Sequence, residues 1–218
     1  MLCVAEVNCQ AQQCSPFGLN NDTEFIAASV TTPSIYLNTD YPAPCSGIVE
    51  RWEFCFYRPA THGVNDNYRL TLAVYRRIDS GNSTLYEIVG PSLRTITRTF
   101  RTQSSNFSCQ ALILNNMSNR QPFNIETGDI IGACVYDPTD NNREPMDAIS
   151  ETDGYSLLQN NVRLTPCGFA SMPSTISSSQ LSTVNSRLLH LSAIVAGMFT
   201  VIVENGISCT TWFLLTFL

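Results

Sequence analysis

Lysine is absent from this 218-residue chain, and histidine occurs only at positions 62 and 190. Without an ammonium side chain there is no Walker A loop, no pyridoxal Schiff base, no ATP-binding lysine of a kinase and no S-x-x-K nucleophile. The patterns G-x-G-x-x-G, G-x-S-x-G and H-E-x-x-H are missing as well. His190 lies in an apolar tail, so a nucleophile–histidine arrangement rests on His62, in the turn-like stretch THGVND. A solvated loop histidine is the plainer reading. The sequence therefore predicts no catalytic residues and no cofactor.

Charge is also scarce. Charged residues make up 14% of the chain, against about 25% in ordinary soluble domains. Asn, Ser and Thr fill the polar positions, as is common in secreted proteins. The net charge of −6 leaves no basic surface for phosphate, which excludes nucleic acid as a general partner.

Cysteine is plentiful by contrast, at 3, 9, 14, 45, 55, 109, 134, 167 and 209. None forms C-x-x-C and none has a histidine at zinc-ligand spacing, so no metal site is expected. Dispersed cysteines fit disulfides in an oxidising compartment. The candidates are Cys14, Cys45, Cys55, Cys109, Cys134 and Cys167, with the pairing left open. Four sequons agree with that compartment, at Asn21, Asn82, Asn106 and Asn116. The start, MLCVAEVNCQAQQC, has no basic n-region and its apolar run breaks at Glu6. The expectation is that the true start lies upstream.

From 24 to 167 short apolar runs alternate with turn chemistry. In IVERWEFCFY (48–57), Ile48, Trp52, Phe54 and Phe56 share one face, with Glu50 the exception. YRLTLAVYRR (68–77) alternates in the same way. Further strands are expected at FIAASV (25–30), SIYLN (34–38), LYEIV (85–89), LRTITRTF (93–100), FSCQALIL (107–114), DIIGACVY (129–136) and VRLT (162–165). TDYPAP, HGVNDN, DSGN and ETGD supply turns between them. No helical period is sustained before residue 180. The pattern predicts an all-β fold, an antiparallel β-sandwich or jelly roll. Its bounds are set at 23–170, after a polar cysteine-bearing extension at 1–22 and before a Ser/Thr-rich linker at 171–187.

Several constellations suggest chemistry and have plainer readings. Glu50 and Glu53 resemble a glycosidase pair, but residues three apart on a strand face opposite ways. The acidic stretch 137–154 offers oxygen ligands without calcium-loop spacing, and reads as a solvated loop. Arg94, Arg98 and Arg101 suggest a clamp for an anionic glycan, against a solvated strand face. Trp52, Phe54, Phe56 and Tyr57 suggest a sugar platform, against core.

The apolar segment 188–218 supports three readings: a single membrane span, a glycolipid-anchor signal following Ser177–Ser179, or a buried core element. The run 188–203 is shorter than the ~20 residues a span needs, and extension places Glu204 in the membrane. No basic residue follows Arg187 to fix an orientation. The attachment readings are preferred, as span or lipid anchor.

YPAPCSGIVERWEFCFY (41–57), YRLTLAVYRR (68–77) and FNIETGDIIGACVYDP (123–138) together resemble uncharacterised extracellular modules of sponge and other marine-invertebrate membrane proteins. The resemblance implies a β-rich ectodomain, often followed by a membrane segment, and carries no catalytic residue across. Within it, Gly128 suits a turn needing positive φ, and Asp129 can cap that turn. Cys55 and Cys134 lie on apolar strands and are expected to bridge two sheets. The whole reads as a binding or adhesion module on the extracellular face of the plasma membrane, with a glycan or protein ligand. The alternative is a secreted matrix component without a discrete site.

Overall fold

The computed structural model describes residues 8–11, 14–19, 34–58, 67–99, 106–114, 121–136, 149–162, 172–196 and 199–202. The chain is all-β, and its described strand pairs are antiparallel. Along the chain run β1 (Asn8–Ala11), β2 (Phe17–Leu19), β3 (Ile35–Asn38), β4 (Gly47–Arg58) and β5 (Asn67–Ser80). Next come β6 (Ser83–Ile88), β7 (Arg94–Thr99), β8 (Asn106–Ile113), β9 (Phe123–Ile125) and β10 (Ile130–Tyr136). The last are β11 (Ile149–Asn160), β12 (Thr175–Ser177), β13 (Leu181–Leu189), β14 (Leu191–Ala196) and β15 (Phe199–Ile202).

One sheet has the order β12-β6-β5-β10-β3-β11-β13, with β7 also on β5; the other has β2-β14-β4-β8, with β9 on β4. A separate ribbon pairs β1 with β15. The core fills the space between the two sheets. Val49, Trp52 and Phe54 of β4 meet Leu70, Leu72 and Val74 of β5 there. Trp52 stacks at a tilt on Phe123, with ring centroids 6.0 Å apart. Each such side chain, fully removed from water, contributes roughly 1.5–3 kcal/mol.

The alternation in β4 is shifted by one residue. The sequence groups Ile48 with Trp52, yet Val49 faces the core. On β14, Ile194 pairs with Arg51 and Val195 with Val49, so Glu50 is an extra residue on β4. A bulge of this kind switches the parity of the strand on either side of it. Arg51 and Glu53 then share the outer face, in an ion pair of 2.9 Å.

The long β5 shares one edge between two partners, β7 over Asn67–Leu72 and β6 over Tyr75–Ser80. Ser92 closes the gap. Its hydroxyl accepts from Val74 N–H at 2.9 Å and lies 3.3 Å from Val74 O, completing the ladder with a side chain. The back of this sheet is apolar too. Ile35, Leu37, Tyr75, Cys134, Met172 and Ile176 form a second buried cluster there.

The sandwich extends past its expected bounds. Phe17, within the expected N-terminal extension, is buried in the core. The 171–187 stretch, read as a linker, supplies β12 and most of β13. Leu188 and Leu189 complete β13, and β14 pairs with both β2 and β4. A segment hydrogen-bonded between two strands is a sheet element, so 188–196 serve as core here and not as an anchor. His190, expected near a membrane interface, is the buried residue where the chain crosses between sheets; its carbonyl accepts from Cys55 N–H at 3.0 Å. Residues 203–218, FIAASV and all of VRLT beyond Val162 lie outside the described residues.

Two disulfides join Cys14 to Cys45 and Cys55 to Cys109. The second links residues directly opposite each other on β4 and β8, with Cα atoms 4.0 Å apart. Cys134 is also disulfide-bonded, but the expected Cys55–Cys134 bridge is not formed. Cys55 follows the inward Phe54, and Cys134 follows the inward Ala133. Each therefore faces away from the inter-sheet core, on opposite sides of the sandwich. Cys167 lies outside the described residues.

Candidate functional site

Most sequence-nominated positions settle into structural roles. Trp52 and Phe54 are core; the side chains of Phe56 and Tyr57 lie outside the described residues. Glu53 is paired with Arg51. Arg94 donates to the carbonyls of Leu93, at 2.8 Å, and Gln121, at 2.9 Å, and also to that of Pro91. Its fork is committed to backbone, and burial lowers its pKa. The side chain of Arg98, and all of Arg101 and His62, lie outside the described residues. Of the sequons, Asn82 is exposed at the tip of a two-residue hairpin closed by the Ser80–Ser83 pair. Asn106 opens β8 opposite Arg58; Asn21 and Asn116 lie outside the described residues.

The segment between β3 and β4 is tied to its surroundings at several points. Tyr41 O accepts from Gly18 N–H at 3.0 Å. Ala43 is buried and exchanges two backbone bonds with the 126–129 turn, donating to Asp129 O at 2.7 Å and accepting from Gly128 N–H at 2.8 Å. Cys45 is bonded to Cys14. The turn itself is braced: Gly128 has φ +91°, and Asp129 Oδ2 accepts from Glu126 N–H at 2.8 Å. Arg76 then grips both oxygens of the buried Asp129 carboxylate, at 2.9 and 3.0 Å. These bonds fix where Tyr41 stands before any ligand arrives.

Opposite it, β11 loops out of its sheet. Pairing with β13 stops at Glu151 and resumes at Ser156, so four residues of β11 face the single residue Ser186. Asp153-Gly154 turns this excursion, with Gly154 at φ +87°. Ser186 takes φ +54°, uncommon for a residue with a Cβ. Its hydroxyl donates to Asp153 Oδ1 at 3.2 Å, and its carbonyl accepts from Arg187 at 3.0 Å. Ser156 N–H, at the end of the bulge, donates to Asp40 Oδ2 at 3.1 Å.

The bulge thereby brings Tyr155 to Tyr41, with ring centroids 6.0 Å apart and planes inclined by 32°. Both rings are half-buried, and Asp40 and Asp153 beside them are exposed. Burial, a hydrogen bond with Tyr155 and the neighbouring Asp40 push the Tyr41 hydroxyl up to about 12, so it stays protonated. Among the described residues, nothing donates to Asp40 Oδ1 or Asp153 Oδ2. The surface thus combines two aromatic faces with acceptors on a braced backbone, an arrangement suited to holding a ligand.

The sequence reading missed this surface. Its local signals were TDYPAP and the Asp-Gly pair, but nothing local shows that 41 meets 155. Among the described residues no group of three or more His, Cys, Asp or Glu is placed to hold a metal. No helix among them is long and apolar enough to cross a membrane. No family model, no curated protein and no solved structure matches this chain.

Proposed function

We propose that this chain is an extracellular, non-catalytic binding module whose contact surface is centred on Tyr41 and Tyr155. The observation that carries the reading is the braced 39–46 segment meeting the looped-out β11. A bulge and a positive-φ serine cost stability, of order 1–3 kcal/mol for the serine. Rigid support around such a feature is what ligand surfaces require. The disulfides point to an oxidising compartment, and the exposed sequon at Asn82 accords with secretion. The location proposed is the outer face of the plasma membrane, as in the ectodomains that the sequence resembles.

The test is to express the chain behind a known signal peptide and probe arrays of glycans and extracellular proteins. Saturable, competable binding that falls with Tyr155→Ala supports the reading. Absence of any saturable ligand overturns it and leaves a matrix component. A phospholipase that cuts glycolipid anchors, applied to intact expressing cells, tests the location. Protein free in the medium before treatment would remove the membrane from the proposal.

A further inference from the structure

The geometry points to a neutral saccharide as the ligand of the Tyr41–Tyr155 surface, an inference that rests on the binding-module reading above. A sugar ring offers two kinds of surface: a face of C–H groups, and an equator of hydroxyls that act as donors. The site answers both. Tyr41 and Tyr155 present paired aromatic rings inclined by 32° to each other, and aromatic faces carry negative charge that attracts polarised C–H groups. Beside them, Asp40 and Asp153 each keep one carboxylate oxygen with no donor among the described residues. An ionised carboxylate only accepts, and it accepts strongly from hydroxyl donors.

The charge pattern selects within the saccharides. Asp40 adjoins Tyr41 and Asp153 stands two residues before Tyr155; both are exposed, on a chain with net charge −6. The Arg187 guanidinium at the bulge donates to the Ser186 carbonyl. Sialylated, uronic and sulfated glycans bring anions to that surface and are repelled. Of the three arginines nominated for anion recognition, Arg94 is committed to backbone carbonyls, and the Arg98 side chain and Arg101 lie outside the described residues. Both tyrosines are half-buried rather than enclosed, which suits a sugar ring laid against them.

The geometry is preset on both sides. Asp40 is held by Ser156 N–H, and Asp153 by the Ser186 hydroxyl. Each aspartate therefore uses one oxygen to fix itself and keeps the other without a donor among the described residues. Tyr41 and Asp40 adjoin a backbone tied to Gly18, Gly128 and Asp129.

The deciding experiment uses the secreted full chain on an array of neutral, sialylated and sulfated glycans, with a panel of extracellular proteins beside it. Three variants accompany the wild type: Tyr155→Ala, Tyr155→Phe and Asp153→Asn, each checked for wild-type melting. Binding to neutral glycans, weakened about tenfold or more by Tyr155→Ala and less by Tyr155→Phe, is the expected result. Asp153→Asn should weaken it too, because the amide is a poorer acceptor. Binding confined to anionic glycans, or to a protein, and still lost with Tyr155→Ala, overturns the neutral saccharide while leaving the binding module intact. Neutral-glycan binding indifferent to all three variants overturns the site. No saturable binding to anything overturns both.

Discussion

The ring of Tyr75 on β5 lies across Gly132, a diagonal neighbour on the adjoining strand β10, at the back of the larger sheet. A Cβ built on Gly132 would stand 2.6 Å from Tyr75 Cε2 and 2.6 Å from Leu37 Cδ2. Neither side chain has room to retreat, since both are fully buried. Glycine is needed here for space and not for a special backbone angle. Gly132→Val should therefore cost about 1–3 kcal/mol through overpacking, read as a lower denaturant midpoint with an unchanged slope. A midpoint equal to the wild type would show that the ring does not lie where it is placed.

The same ring makes a prediction about pH. Among the described residues the Tyr75 hydroxyl has no hydrogen-bond partner, and its burial raises its pKa above the ordinary 10.0. The native state thus resists ionisation that the unfolded chain accepts. Stability from this group is intact below pH 10 and is lost as pH climbs above it, by at most about 1.4 kcal/mol per pH unit. Tyr41, pushed up to about 12, adds to the loss between 10 and 12. Tyr75→Phe should leave neutral-pH stability unchanged or slightly higher, since no hydrogen bond is given up. It should also flatten the alkaline decline. An unaltered decline measured by denaturant titration at several alkaline pH values would contradict the assignment.

The Arg76–Asp129 clamp joins residues 53 positions apart, and its two ends differ in exposure: the carboxylate is 1% accessible, the guanidinium side chain 35%. Losing the buried end is the costlier change, because Asp129 also closes the 126–129 turn. Asp129→Ala should cost about 2–4 kcal/mol and Arg76→Met less. In a double-mutant cycle the pair should cost less than the sum of the singles. Strict additivity would mean that the two groups do not act on each other.

Strands written as apolar runs between turns were legible; β4, β5 and β10 match the runs expected for them, although β5 and β10 are buried on both faces. Several others were not, and three of them show why. In β13, LSTVNSRLL, the outward positions Ser182, Thr183 and Asn185 make an edge strand resemble a Ser/Thr linker. In β11 the Asp153-Gly154 bulge breaks the alternation halfway, and the polar half merged with an acidic loop. In β14, LSAIVA, four of six residues are buried, which erases the alternation and leaves an apolar run that reads equally as core or membrane. The candidate site was illegible for a different reason. Tyr41 and Tyr155 are brought together by strand pairing between distant segments, and pairing is not written in either neighbourhood.

The β14 assignment itself can be tested against the anchor reading of the sequence. If 188–218 were a detachable anchor, a chain ending at Arg187 would fold and be secreted. The structure predicts the opposite. Leu191, Ala193 and Val195 belong to the inter-sheet core, and β14 holds β2 against β4. Removing it exposes one edge of β4 and takes the partner from β2, so the shortened chain should be retained in the cell or aggregate. Ala193→Asp makes the same point with a single residue: it places a carboxylate at a fully buried position opposite Trp52. A buried unpaired charge costs at least several kcal/mol. The expected result is loss of the cooperative melting transition. If Ala193→Asp melts like the wild type and alters only partition into membranes, β14 is not a strand of the sandwich.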